Sequence, residues 1–228
     1  MSVLHLDAAT VRLGDTDALR EVSLTLGART IAVIGENGSG KSTFARLLGG
    51  LAEPTAGEVR ILGLDPRRDA AELRRRTALV FSNPDAQIVM PTVAEDVAFS
   101  LRRERLPRAE SAARVAEALQ RFGLAALVDR PSHDLSGGQK QLLALCGAFV
   151  RRPELVVADE PTAYLDARNA RRVAGHLFED AGHRLVLVTH DLALAARCET
   201  AVLFAEGRLA ATGAPETVLS EYERRLAC

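Results

Sequence analysis

Cysteine, lysine, net charge and long apolar runs are all scarce in this chain, and each shortage excludes something. The 228 residues include 3 cysteines, Cys146, Cys198 and Cys228, widely spaced and without a Cys-x-x-Cys pair. That pattern supports neither a disulfide framework nor a structural zinc, so free thiols are expected. A formal net charge of −1 gives no long-range pull toward nucleic acid or anionic lipid. The arginine clusters (Arg74 to Arg76, Arg102 and Arg103, Arg171 and Arg172) are short and read as solvated helix faces. The longest apolar stretch, residues 142–150, falls far short of the roughly 20 residues that span a bilayer. The N-terminus has no signal-peptide pattern, so a soluble, cytoplasmic chain is expected. There is no internal repeat, low-complexity tract or long linker, and the 47% hydrophobic content can bury a full core as one domain or two small lobes.

The lysine shortage is informative. Of 29 basic residues only Lys41 and Lys140 are lysine, so Lys41 stands where a compact ammonium is wanted. It lies in Gly35-Glu36-Asn37-Gly38-Ser39-Gly40-Lys41-Ser42, a phosphate-loop pattern. In such a loop small residues let backbone N–H groups turn toward an anion, and the next helix presents its positive end. Residues 30–34 read as a β-branched strand entering the glycines, and residues 43–48 as the helix leaving them. Lys41 is then expected to reach the β- and γ-phosphates and Ser42 to ligate Mg²⁺, with Gly35, Asn37, Gly38, Ser39, Gly40 and Thr43 completing the candidate nucleotide site. A glycine-rich turn that binds nothing is the bland alternative, disfavoured because strand, helix, lysine and hydroxyl are all in place.

Residues 3–11 and 21–26 read as strands around a polar turn at Gly14-Asp15-Thr16-Asp17, with a further strand at 58–62. From Thr92 to about Gly123 the period turns helical, with Val93, Val97 and Leu101 on one face and Val115, Leu119 and Phe122 on another. Strands 155–158, 184–189 and 200–204 then alternate with helices 167–180 and 191–197, the mark of a parallel α/β core. A single domain over 1–228 is expected, with an α/β lobe (1–91 and 153–228) into which a helical lobe (about 92–152) is inserted.

The remaining chemistry sits at strand ends. Residues 155–158 are apolar and run into Asp159-Glu160, and parallel sheets bind ligands at the carboxyl ends of their strands. Asp159 is expected to hold Mg²⁺ through its water shell and Glu160 to take a proton from the water attacking the γ-phosphate. Either carboxylate alone could be a helix cap. His190 ends the next apolar strand, where an imidazole can bond the γ-phosphate and position that water; His5, His133, His176 and His183 read as ordinary surface or core residues. Leu135-Ser136-Gly137-Gly138-Gln139 offers a second anion-binding helix start, with Ser136 as N-cap. One subunit does not need two γ-phosphate sites, so the second is expected to face the phosphate loop of another subunit, making ATP the glue of a dimer; a plain helix cap is the alternative.

The phosphate loop, Ser136, Gly137, Gly138 and Gln139, Asp159-Glu160 and His190 fall in the order of the ATP-binding cassette (ABC) ATPases, which the chain resembles over nearly its whole length. The resemblance implies a P-loop α/β fold with a mainly parallel core sheet, an antiparallel β flank and an inserted helical subdomain. It also implies a head-to-tail dimer with two shared ATP sites, linked through Asp166 in Ala163-Tyr164-Leu165-Asp166. Residues 80–99 resemble the ATPases of energy-coupling-factor importers, which drive uptake of vitamins or of cobalt and nickel through a transmembrane coupling protein and a substrate-binding membrane protein. Gln87-Ile88-Val89-Met90-Pro91-Thr92 and Leu165-Asp166-Ala167-Arg168-Asn169 most resemble the biotin-uptake ATPase. The implied place is the cytoplasmic face of the membrane, reached through partners, with no nucleic acid involved. A soluble ABC ATPase or nucleotide-dependent regulator is the competing class, and the 95 positions between Lys41 and Ser136 leave no room for the long coiled coil of nucleic-acid relatives.

Two residues depart from the family pattern. Ser82 stands where a glutamine amide usually touches Mg²⁺ and signals to the membrane partner, and the serine hydroxyl is too short for that reach. Gln87 could substitute, although it also matches a glutamine of the coupling-factor group. Near Leu13 the usual adenine-stacking aromatic is missing, leaving an aliphatic contact or the Arg12 guanidinium.

Overall fold

The computed structural model describes residues 3–179 and 182–227. Cys228, and Asp180 at the end of an expected helix, lie outside the described residues. The chain forms two compact units. The first comprises the chain up to Leu79, Glu154–Glu160 and the chain from Arg184 onward; the second comprises Val80–Pro153 and Pro161–His183.

The first unit carries two sheets. Strands β1 (Leu4–Leu13), β2 (Thr16–Leu26) and β4 (Ala56–Ile61) form an antiparallel flank in the order β2-β1-β4. Its turn is tighter than the sequence suggested. Thr16 and Asp17 already belong to β2 and pair with Leu13 and Arg12, because the exposed Arg12 Nε donates to Asp17 Oδ1 across the strands at 2.7 Å.

The second sheet runs β5 (Thr77–Phe81), β6 (Leu155–Asp159), β7 (Arg184–Val188), β3 (Thr30–Ile34), β8 (Thr200–Ala205), β9 (Arg208–Gly213). β6 pairs parallel with β7, and β3 pairs parallel with both β7 and β8. These strands are continuous apolar runs because both sheet faces are covered; all of β3 is buried, and β6 is buried up to its last residue. The register aligns Val33, Val188 and Asp159, so the residues after β3, β6 and β7 leave the sheet at one edge. Helix α1 (Lys41–Leu48) buries Phe44, whose ring packs on Phe204 of β8 at 5.1 Å between centroids.

The second unit contains α3 (Val93–Ser100), α4 (Arg108–Arg121), α5 (Gly137–Phe149) and α6 (Ala167–Glu179). A capping box closes the start of α3, where Thr92 accepts from the Glu95 N–H and the Glu95 side chain accepts from the Thr92 N–H. Val93, Val97, Leu101, Val115, Leu119 and Phe122 are all buried, matching the two expected faces. The unit is larger than 92–152: residues 80–91 and α6 belong to it because α5 packs against both the turn at Pro84–Ala86 and α6. The sequence places a helix at 167–180 but does not show which elements it packs against.

Phe122, Phe149, His176 and His183 form an aromatic cluster in this unit, with Phe122 4.2 Å from His176 and Phe149 edge-on to His183 at 4.9 Å. Burial lowers the His176 pKa, and repulsion from Arg121 and Arg172 lowers it further, opposed by Glu179. A base whose folded pKa lies below its unfolded value of 6.5 contributes fully above 6.5, and that contribution is lost as pH falls from 6.5 through the lower folded value. The melting temperature should therefore drop on acidification below pH 6.5, and His176→Phe should flatten that dependence. Parallel melting curves for both proteins from neutral pH to pH 5 would count against this account.

Candidate functional site

The loop after β3 needs glycine at two places. Gly35 has φ +144°, and a Cβ there would sit 2.2 Å from the Phe204 carbonyl oxygen; Gly40 has φ +105°, and a Cβ would sit 2.7 Å from the Ala18 carbonyl oxygen. Gly35→Ala is expected to lower the melting temperature by at least about 5 °C, since strained backbone and a main-chain clash act together; an unchanged melt would refute the clash. Beyond Gly40, α1 starts with no side-chain cap and no acidic residue in its first turn, so its N-terminal N–H groups are left for an outside anion.

Lys41 is buried, and its ammonium donates to the Gly35 and Glu36 carbonyl oxygens at 2.7 Å each. Burial lowers its pKa, while Glu160, Asp159 and Glu36 pull the other way. At the end of β6, Glu160 takes φ +52° and its N–H donates to the Val188 carbonyl at 2.9 Å, which turns the side chain out of the sheet. Glu160 Oε2 accepts the His190 N–H at 3.3 Å. His190 Nε2 stands 3.3 Å from Glu160 Oε1, within ion-pair range but off hydrogen-bond geometry, and that buried oxygen has no hydrogen-bond partner. Burial raises the Glu160 pKa and Asp159 adds to the rise, against the attraction of His190 and Lys41. A carboxylate so placed is more basic than usual and has an oxygen to spare.

These groups face one cavity of about 250 Å³, lined by Ala18, Asn37, Gly38, Gly40, Lys41, Ser42, Thr43, Asp159, Glu160 and His190. The phosphate-loop and strand-end residues of the sequence-derived set thus line it, with Gly35 and Ser39 excepted. Gly35 shapes the loop from behind, and the buried Ser39 instead lines an adjoining cavity of about 240 Å³ with Glu36, Asn37, Tyr222 and Arg225. Ala18 lines the cavity that holds Lys41 and Glu160, and sequence reasoning missed it because a carbonyl neighbour to Gly40 leaves no side-chain signal.

In the second unit, Ser136 and Gln139 form a reciprocal cap on α5. Ser136 Oγ accepts the Gln139 N–H at 3.4 Å, and Gln139 Oε1 accepts the Ser136 N–H at 2.9 Å. The helix-cap alternative is therefore physically present, yet the serine O–H proton remains for an acceptor outside. A Cβ on Gly138 would meet Asn169 at 2.5 Å, whereas Gly137 faces open space. Asp166 accepts from the Asn169 backbone and side chain at 2.9 and 2.7 Å, which lowers its pKa and fixes the loop holding the exposed Tyr164.

Comparison with known proteins decides the family. The sequence profile of the family described as ABC transporter matches residues 19–163. The chain belongs to that family. It is an ABC ATPase, whose hydrolysis of ATP is coupled to transport. A provisionally named ABC transporter ATP-binding protein of Deinococcus radiodurans is 51% identical over 208 residues, covering 91% of this chain and 92% of the relative. The biotin transport ATP-binding protein BioM of Rhizobium etli is 40% identical over 219 residues, covering 96% and 97%. Among solved structures, CbiO1 of Clostridium perfringens, part of the ABC transporter complex CbiONQ, superposes with a TM-score of 0.85 at 32% identity, covering 97% of this chain and 92% of that one.

The ABC ATPase fold expected from sequence is the one observed, α/β with a mainly parallel core sheet and an antiparallel flank. Among the described residues no helix is long and apolar enough to cross a membrane. The side chain of Leu13 is exposed, and the Arg12 guanidinium is committed to Asp17.

Proposed function

We propose that this ABC ATPase is the hydrolytic subunit of an energy-coupling-factor importer for a micronutrient, with biotin the first solute to test. The observation that carries the hydrolytic half is the convergence of Lys41, Ser42, Asp159, Glu160 and His190 on one cavity at an uncapped helix start. The importer half is supported by the names of its relatives, which speak of biotin transport and of an ABC transporter complex.

In this reading the α1 N-terminus and Lys41 hold the phosphates of ATP, and Glu160, kept basic by burial, accepts the proton of the attacking water, which His190 helps to place. Among the described residues no group of three or more His, Cys, Asp or Glu could hold a metal alone. Mg²⁺ fits that donor set, because it binds through one or two protein oxygens together with phosphates and water; here those are Ser42 and Asp159. When bound, the ion neutralises charge on the phosphates. Ser136, Gly137, Gly138, Gln139 and Asp166 serve the ATP of a second copy, so that binding joins two chains and hydrolysis releases them. Membrane contact comes through a transmembrane coupling protein and a substrate-binding membrane protein, at the cytoplasmic face.

The test is to purify tagged Glu160→Gln chain from its own cell's membranes in ATP and identify what accompanies it by mass spectrometry. A small coupling protein together with a substrate-binding membrane protein is the expected result. A chain left wholly in the soluble fraction, with no membrane protein bound, would replace this reading with a soluble ATPase or regulator.

A further inference from the structure

We propose that Lys140 and Gln141 latch helix α5 to the loop carrying Ser82, so that the two move as one body and nucleotide state is passed on through this latch. The inference rests on the reading that the Ser136–Gln139 cap closes on the ATP of a second copy.

The loop is tied at both ends. Upstream, the peptide groups of Phe81, immediately before Ser82, are both taken by side chains: Gln141 Nε2 donates to its carbonyl at 3.1 Å, and its N–H donates to Gln87 Oε1 at 2.8 Å. Gln141 is 1% exposed, so its amide belongs to the interior of the unit and has no outside role. In the middle, Lys140 Nζ pairs with Asp85 Oδ1 at 2.7 Å. Asp85 sits in the turn Pro84–Ala86, which the Asn83 side chain caps and which packs on α5. Downstream, buried Asp96 of α3 accepts the N–H groups of Val89 and Met90 through one oxygen, at 2.8 and 3.0 Å.

Two consequences follow. The Gln87 carboxamide oxygen is spent on the Phe81 N–H, so Gln87 braces the loop and does not replace the absent glutamine. The residues that grip the loop, Lys140 and Gln141, come directly after the Ser136–Gln139 box, on the first two turns of one helix. A shift of that helix start must drag Phe81 and Asp85 with it. Lys140 is one of the chain's two lysines, and this ion pair gives it a place in the machinery that the phosphate site does not.

Hydrogen exchange on the full chain, in a Glu160→Gln background with and without Mg·ATP, tests the latch. With Lys140 and Gln141 intact, ATP should slow exchange in 137–149 and 81–90 together. In Lys140→Met/Gln141→Met, nucleotide-free exchange in 81–90 should rise about tenfold, the weight of a buried hydrogen bond, and ATP should protect 137–149 while leaving 81–90 unprotected. Lys140→Met alone, which removes only a partly exposed pair, should fold normally and show a smaller uncoupling, and Lys140→Arg should keep the coupling. If 81–90 follows ATP equally well in the double variant, or in Lys140→Met alone where the double variant does not fold, the latch is overturned while the shared site stands. If ATP leaves 137–149 unchanged with the latch intact, the second-copy reading of the cap is overturned, and transmission through the latch with it.

Discussion

Glu160→Gln is expected to cut ATP hydrolysis by on the order of 1,000-fold, the size of a lost general base, while the melting temperature holds or rises. The two halves of that expectation have one cause. Glu160 follows directly on a buried strand, keeps an oxygen with no hydrogen-bond partner and has its pKa raised by burial. A carboxylate whose folded pKa is raised costs the fold stability wherever it is ionised, from the unfolded value of 4.5 upward. The amide removes that cost and keeps the shape, and it also removes the basicity. Hydrolysis by the unaltered protein should accordingly fall as pH drops through a midpoint above 4.5, the side on which Glu160 gains its proton. Turnover and melting curves on the two purified proteins decide it. A clear fall in melting temperature for Glu160→Gln would mean that the carboxylate is net stabilising and that Lys41 and His190 compensate its burial.

Much of this site could be read before the structure, for reasons that individual residues make plain. Asp159 and Glu160 end an unbroken apolar run, and such a run has one explanation, a strand covered on both faces, so the acids had to emerge at its carboxyl end. The glycines around Lys41 were legible because main-chain atoms of Ala18 and Phe204 exclude any side chain at Gly40 and Gly35. Strand β5, strand β9 and helix α8 (Pro215–Leu226) were not legible. Thr77–Phe81 and Arg208–Gly213 are short and mixed in burial, and their identity as strands comes from neighbours distant in sequence. Helix α8 is half-exposed, and its importance lies in Tyr222 and Arg225 reaching the wall of a cavity beside the phosphate loop, a tertiary fact. The reach of the second unit to residues 80–91 and 161–183 was hidden for the same reason, because it depends on what α5 packs against.

Lys41→Arg should weaken ATP binding by about 100-fold or more and lower the melting temperature by several degrees, even though this chain uses arginine for all but two of its 29 basic residues. Lys41 is 6% exposed, and its ammonium is held by two carbonyls at 2.7 Å, Gly35 and Glu36, inside a tight loop. A guanidinium is planar and wider, carries five N–H donors and cannot shed its charge, so in that space it must leave donors unpaired or push the loop off the phosphate position. Lys41 has a lesser burden, because burial already lowers its pKa and Glu160, Asp159 and Glu36 offset the loss. Lys41→Met separates charge from shape: it should lose ATP binding to a similar extent while keeping more of the thermal stability than Lys41→Arg. Nucleotide titration by calorimetry, with melting curves alongside, measures both quantities. Binding by Lys41→Arg within threefold of the unaltered protein would show that the loop accepts a fork-shaped cation, and the scarcity of lysine elsewhere would then carry no information about this site.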